Sequence, residues 1–144
     1  MTLALSIAEE RTTFVHESSP QRVDLAIGWN SLVRRFFRHH PPTLFELEAA
    51  IAAVEDEIMR VRYEVPSQSS VETKDPGIAD IAIVAGVAPG NEMIISLEAV
   101  EQCFQRLAAR PAATPDTPRF GSTLLILREL MHHLRFHEIR IRRG

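Results

Sequence analysis

The hydrophobic and polar positions fall into segments of differing period. Leu3, Leu5 and Ile7 alternate with smaller or polar residues, which predicts a short N-terminal strand. Ser18, Ser19 and Pro20 then interrupt the chain. Between Gln21 and His39, the apolar residues Leu25, Trp29, Leu32, Val33, Phe36 and Phe37 share one arc at helical spacing, with Ser31, Arg34, Arg35 and Arg38 on the other. Pro41 and Pro42 close that helix. Thr43-Leu44-Phe45-Glu46 has capping-box spacing, in which hydroxyl and carboxylate each satisfy a free backbone amide of the other. A second helix is expected from there to about Tyr63, antiparallel to the first.

The polar, proline-containing stretch from Val65 to Gly77 predicts a loop. The continuous apolar run Ile78–Val84 predicts a strand interior to a sheet. After a turn over Gly86–Asn91, Met93-Ile94-Ile95 predicts a short strand pairing back as a hairpin. Ser96 is placed to cap a third helix whose buried stripe is Val100, Cys103, Phe104 and Leu107, with Pro111 stopping it. Three prolines between Arg110 and Arg119 mark a second loop, and a fourth helix is expected from about Ser122 to Leu134. The alternation through His137–Arg142, with Ile139 and Ile141 between charges, predicts an edge strand. The expected fold is α+β or α/β. It is a two-layer sandwich of about four helices on a small three- to four-stranded sheet, in a single globular domain spanning residues 1–144.

Composition narrows the partners. The net charge of −3 gives no reason to expect nucleic acid, and no apolar run suits a membrane span. All basic residues except Lys74 are arginine, which resembles the codon bias of a GC-rich bacterium. Glu9 and Glu10 argue against a signal peptide at Met1–Arg11, so a cytoplasmic location is expected. Cys103 is the only cysteine and lies on an apolar arc, where it serves as a small buried hydrophobe rather than a nucleophile.

Chemically capable side chains gather mainly near the C-terminus. Angular spacing on the fourth helix turns its leucines inward and leaves Glu129, His132 and His133 on a solvated face. Glu129 and His132 have the Glu-x-x-His spacing of a metal pair, but the second pair such centres need is missing. His137 lies past the helix end. Arg34 and Arg38, joined in space by Arg140 and Arg142, form a candidate anion patch, with His39 and His40 near it. The Gly86–Asn91 turn lacks the helix start that a phosphate loop requires. Asp80, within the apolar run, calls for an arginine partner such as Arg106 or Arg128.

The second helix carries two apolar stripes. The narrower one, with Phe45, Ala52, Met59 and Tyr63, suits a contact with another copy of the chain. These features favour an interaction or accessory protein without chemistry of its own. It would act as a homodimer, with a further protein partner possible and no cofactor. The alternative is an enzyme holding a divalent metal or a small anion with Glu129, His132 and His133.

Overall fold

The computed structural model describes residues 1–66, 68–109, 115 and 117–143. Six strands and five helices follow one another as β1 (Thr2–Ile7), β2 (Thr12–His16), β3 (Arg22–Leu25), α1 (Trp29–Phe36), α2 (Leu44–Val61), β4 (Ser70–Thr73), α3 (Pro76–Val84), β5 (Glu92–Ser96), α4 (Leu97–Ala109), α5 (Pro118–His133) and β6 (Glu138–Arg142). A single 3-10 turn, Arg62–Glu64, extends α2. The strands form one mixed sheet in the order β3-β2-β1-β4-β6-β5. β1, β4 and β6 are parallel; β2, β3 and β5 run against their neighbours.

Register explains why this sheet has one dry face. Leu5 stands beside Phe14 and Thr73, and Ile141 beside Thr73 and Met93, and all of them are buried. On the other face Ala4 stands beside Val15 and Glu72, and Arg140 beside Glu72 and Ile94; none is buried. The helices therefore cover one side. α5 packs against each of the other four and is buried around nearly its whole circumference, including Leu124, Leu125, Ile126 and Leu127. Among the described residues, no helix is long and apolar enough to cross a membrane.

Five expectations need correction. The stretch Val65–Gly77 is not simply a loop, since Ser70–Thr73 pairs with β1 and β6 as β4. The run Ile78–Val84 is not a strand but most of α3. Asp75 accepts a hydrogen bond from the Gly77 amide and Pro76 occupies the first turn, which are helix-start signals. The run reads as continuous because Ile78, Ala79, Ile81 and Ala82 are all buried, while Asp80 faces water and needs no arginine. The first helix does not begin at Gln21: Arg22–Leu25 pairs with β2, a hairpin that the spacing of Leu25 and Trp29 disguised as one helical arc. β6 is interior rather than an edge, because a one-sided sheet imposes the same alternation on its central strands. β5 pairs with β6, not with the segment before it. The sheet is accordingly larger and the helices more numerous than expected. The second proline-rich loop falls largely on 110–114 and 116, outside the described residues.

Other elements follow their local chemistry. The Glu46 amide donates to Thr43 Oγ1 at 3.1 Å and the Thr43 amide to Glu46 Oε1 at 2.9 Å, completing the capping box. Ser96 Oγ accepts from the Ala99 amide at 3.1 Å, capping α4 as expected. Glu46 Oε2 also accepts from the Arg38 amide at 2.7 Å, which ties the start of the α1–α2 connection to α2. Burial would raise the Glu46 pKa, but the amides of Thr43 and Arg38 and the His39 ring outweigh it and hold the group down at about 2. A lowered carboxyl pKa adds stability that is complete above the unfolded value, about 4.3, and disappears as pH falls toward 2. The melting temperature should therefore drop between pH 4.5 and 2. Glu46→Gln, which keeps the shape but not the charge, should flatten that part of the pH profile.

Candidate functional site

β1 and β4 lie side by side and parallel, but the chain leaves their carboxyl ends in opposite directions. β1 turns back into β2 toward one edge, while β4 enters α3 on the way to β5 at the other. Such a parting opens a crevice beyond the strand ends, the usual ligand position in open sheets of this kind. Here the crevice encloses about 800 Å³. Ser6 and Thr13 reach it from the open sheet face, Lys74 and Asp75 from the start of α3, Arg119 from the start of α5 and Arg142 from β6.

Its floor is stitched by hydrogen bonds. Asp75 accepts from the Ile7 amide at 2.8 Å and from the Gly77 amide at 2.9 Å, joining the end of β1 to the start of α3. The Thr73 hydroxyl donates to the Leu5 carbonyl at 2.7 Å and accepts from the Asp75 amide at 3.0 Å. On the opposite side the amides of Trp29, Asn30 and Ser31 donate to the carbonyls of Ala8 and Glu9, so the start of α1 holds the β1–β2 turn. Gly28 makes that approach possible, since a Cβ there would collide with the Ala8 carbonyl and the Glu9 backbone. Arg119 stacks over the Trp29 ring with its guanidinium 5.1 Å from the centroid, and lies 3.9 Å from Asp75. Arg142 pairs with Glu72 at 3.0 Å. Among the described residues, Lys74 has no ion-pair partner and is exposed.

A second cluster lies at the far end of α5. Glu129 is not on a solvated face; it is 3% exposed, because α5 is enclosed by other helices on the side assigned to water. Arg128 Nη1 donates to Glu129 Oε2 at 2.7 Å, and Arg128 Nε to Glu101 Oε2 at 3.0 Å. His133 Nε2 lies 3.3 Å from Glu129 Oε1 and 3.5 Å from Glu55 Oε2 of α2. Burial raises the Glu129 pKa, and the charges of Arg128 and His133 partly offset the effect. His132 points elsewhere, 3.9 Å from Glu101.

The remaining expected site residues are dispersed. Arg34 forms a bidentate pair with Glu10, at 2.9 and 3.0 Å, on the exposed surface. Arg38 is exposed, Arg140 pairs with Glu92 at 3.2 Å, and only Arg142 of the four arginines lines the crevice. Phe45, Ala52, Met59 and Tyr63 are all exposed on or just beyond α2, with Arg62 stacked on the Tyr63 ring. Cys103 is buried, and its thiol pKa is pushed up by burial. Inspection of the sequence missed Lys74, Asp75 and Arg119, although Asp75-Pro76-Gly77 is a helix-start signal and Lys74 the only lysine. It also missed Glu55, which offers no signal until α2 is set against α5.

No family model and no curated protein sequence matches this chain. Solved structures do match its fold. The PPX-GPPA enzyme of Aquifex aeolicus superposes with a TM-score of 0.79 at 14% identity, over 99% of this chain and 53% of that one. The type II variant of the Aquifex aeolicus Ppx/GppA phosphatase gives 0.76 at 14%, again over 99% and 53%. An exopolyphosphatase from Cytophaga hutchinsonii gives 0.74 at 12%, over 99% and 53%. The chain thus shares the fold of these Ppx/GppA structures and spans about half their length. This overturns the preference for a non-catalytic accessory protein. That preference rested on a solvated Glu129 and on the absence of a catalytic set along the sequence. Glu129 is buried, the fold is one found in enzymes, and the crevice is assembled from distant segments.

The packing at Gly28 is testable. Gly28→Ala should destabilise the fold by at least about 1–3 kcal/mol, the usual range for overpacking, read as a lower urea midpoint. Gly90→Ala, at an open turn, should change the stability by no more than about 0.5 kcal/mol.

Proposed function

We propose that this chain binds a terminal phosphoryl group in the crevice beyond β1 and β4, as a domain of the phosphatase or exopolyphosphatase class. The observation that carries the reading is the position of Lys74. It is a cation without an ion-pair partner among the described residues, at the point where the two parallel strands part. Arg119, stacked on Trp29, lines the same crevice, and Ser6 and Thr13 add hydroxyl groups able to donate to phosphoryl oxygens. The names of the structural neighbours, a phosphatase and an exopolyphosphatase, agree with that ligand chemistry.

The acids at the crevice limit what fits. Glu72 is balanced by Arg142, and Asp75 is spent on backbone amides, which leaves Glu9 and Glu17 at exposed positions near the rim. Their repulsion disfavours a long polyanion lying across the opening and leaves room for one end of it. Nucleic acid is disfavoured on the same ground. The start of α3 gives little help, since the Asp75 carboxylate already occupies its first free amide. Side-chain cations therefore carry the binding, and it should weaken as salt screens them.

Calorimetric titration with orthophosphate and with tripolyphosphate at low ionic strength tests the reading. Saturable binding is expected for both, weakened at least about tenfold by Lys74→Glu, or about 1.4 kcal/mol. Lys74 is exposed, so its replacement should not disturb folding. Absence of saturable binding, or binding unchanged in Lys74→Glu, would refute the proposal.

A further inference from the structure

We propose that Glu55, Glu129 and His133 form a binding site for one divalent transition-metal ion of the Zn²⁺ type, which staples α2 to α5. The three side chains offer one donor atom each, and these atoms all lie within 4.8 Å of one another. In a tetrahedral centre with bonds of about 2.0–2.1 Å, neighbouring donors are about 3.3–3.4 Å apart. The His133 nitrogen is 3.3 Å from the Glu129 oxygen and 3.5 Å from the Glu55 oxygen, so two edges already have that length. One imidazole nitrogen with two carboxylate oxygens suits Zn²⁺ and its neighbours better than Ca²⁺ or Mg²⁺, which take oxygen alone.

The support for these ligands is also in place. Glu129 and His133 are four residues apart on α5, hence on one face, and α2 supplies Glu55 from across the helix pair. The second oxygen of Glu129 is fixed by Arg128, which Glu101 and the Phe104 ring hold in turn. Such outer contacts orient a ligating carboxylate. His133 and Glu55 remain partly exposed, with 30% and 42% of their side chains open, which gives an ion a path in and water a fourth position. In the absence of an ion, two carboxylates share one imidazole, and a cation would relieve their mutual repulsion. His132, beside Glu101, is outside the set.

The site is separate from the crevice. Arg119 and His133 lie on the same helix, fourteen residues apart in SEQ numbering, which is about 21 Å at the α-helical rise. A bound ion there would hold two helices together and take no part in contacts with a phosphoryl ligand.

Zn²⁺ titration by calorimetry, on protein freed of metal with a chelator and carrying no histidine tag, decides the matter. Visible absorption of the Co²⁺ form would report the ligand geometry. The result expected is one ion per chain, a melting temperature that rises with Zn²⁺, and d–d bands of tetrahedral intensity. Glu55→Gln and His133→Gln should each weaken Zn²⁺ at least about tenfold, while His132→Ala should not change it. Circular dichroism of the metal-free variants establishes that they fold. No 1:1 binding, binding untouched in both Glu55→Gln and His133→Gln, or loss in His132→Ala would each overturn the site. Phosphate binding should be the same in all three variants, which keeps this test independent of the crevice.

Discussion

The near-complete enclosure of α5 is the constraint from which most of the structure follows. A helix touched by four others must be apolar around most of its surface, and Phe120, Leu124, Leu125, Ile126, Leu127, Leu130 and Met131 meet that demand. Its polar residues are then forced into the interior, where each needs a partner. The Ser122 hydroxyl donates to the Trp29 carbonyl at 2.6 Å, which fixes α1 against α5. Glu129 has Arg128 and His133. Thr123 Oγ1 is buried without a partner among the described residues, a cost of about 1–3 kcal/mol by general experience. The same helix places Arg119 at the crevice with its first turn and His133 beside α2 with its last.

Local rules made parts of this fold readable in the sequence. The capping box of Thr43 and Glu46 and the hydroxyl of Ser96 marked two helix starts, because a cap involves only residues three apart. The amphipathic stripe of α4 was equally plain, since that helix has one wet side. Buried elements were harder. A helix covered on most sides loses its period, so Ile78–Val84 gave the same pattern as an interior strand. Glu129 was assigned to water because angular spacing describes one helix at a time and cannot know how many neighbours enclose it.

The crevice was illegible for a different reason. Ser6, Lys74, Arg119 and Arg142 come from four separate segments and share no spacing. What brings them together is the order of strands in the sheet, with β4 inserted between β1 and β6. A reader of the sequence alone could identify Asp75-Pro76-Gly77 as a helix start but not as the wall of a cavity. The Glu129–His133 pair was visible as a spacing of four, yet its third member, Glu55, depends on the packing of α2 against α5. Sites built by topology emerge only once strand order and helix packing are known.

The charged rows on the open side of the sheet have a further effect on how the strands align. Along β6, Arg140 and Arg142 reach across to Glu92 and Glu72, while Ile139 and Ile141 point the other way into the interior. Sliding β6 by a single position would drive two guanidinium groups into oil and expose two isoleucines at once. Each cross-strand pair is worth little by itself, about 0–1 kcal/mol at such exposure. Their collective role is to make misalignment prohibitive, so that the strand carrying Arg142 settles in the one position that delivers it to the crevice.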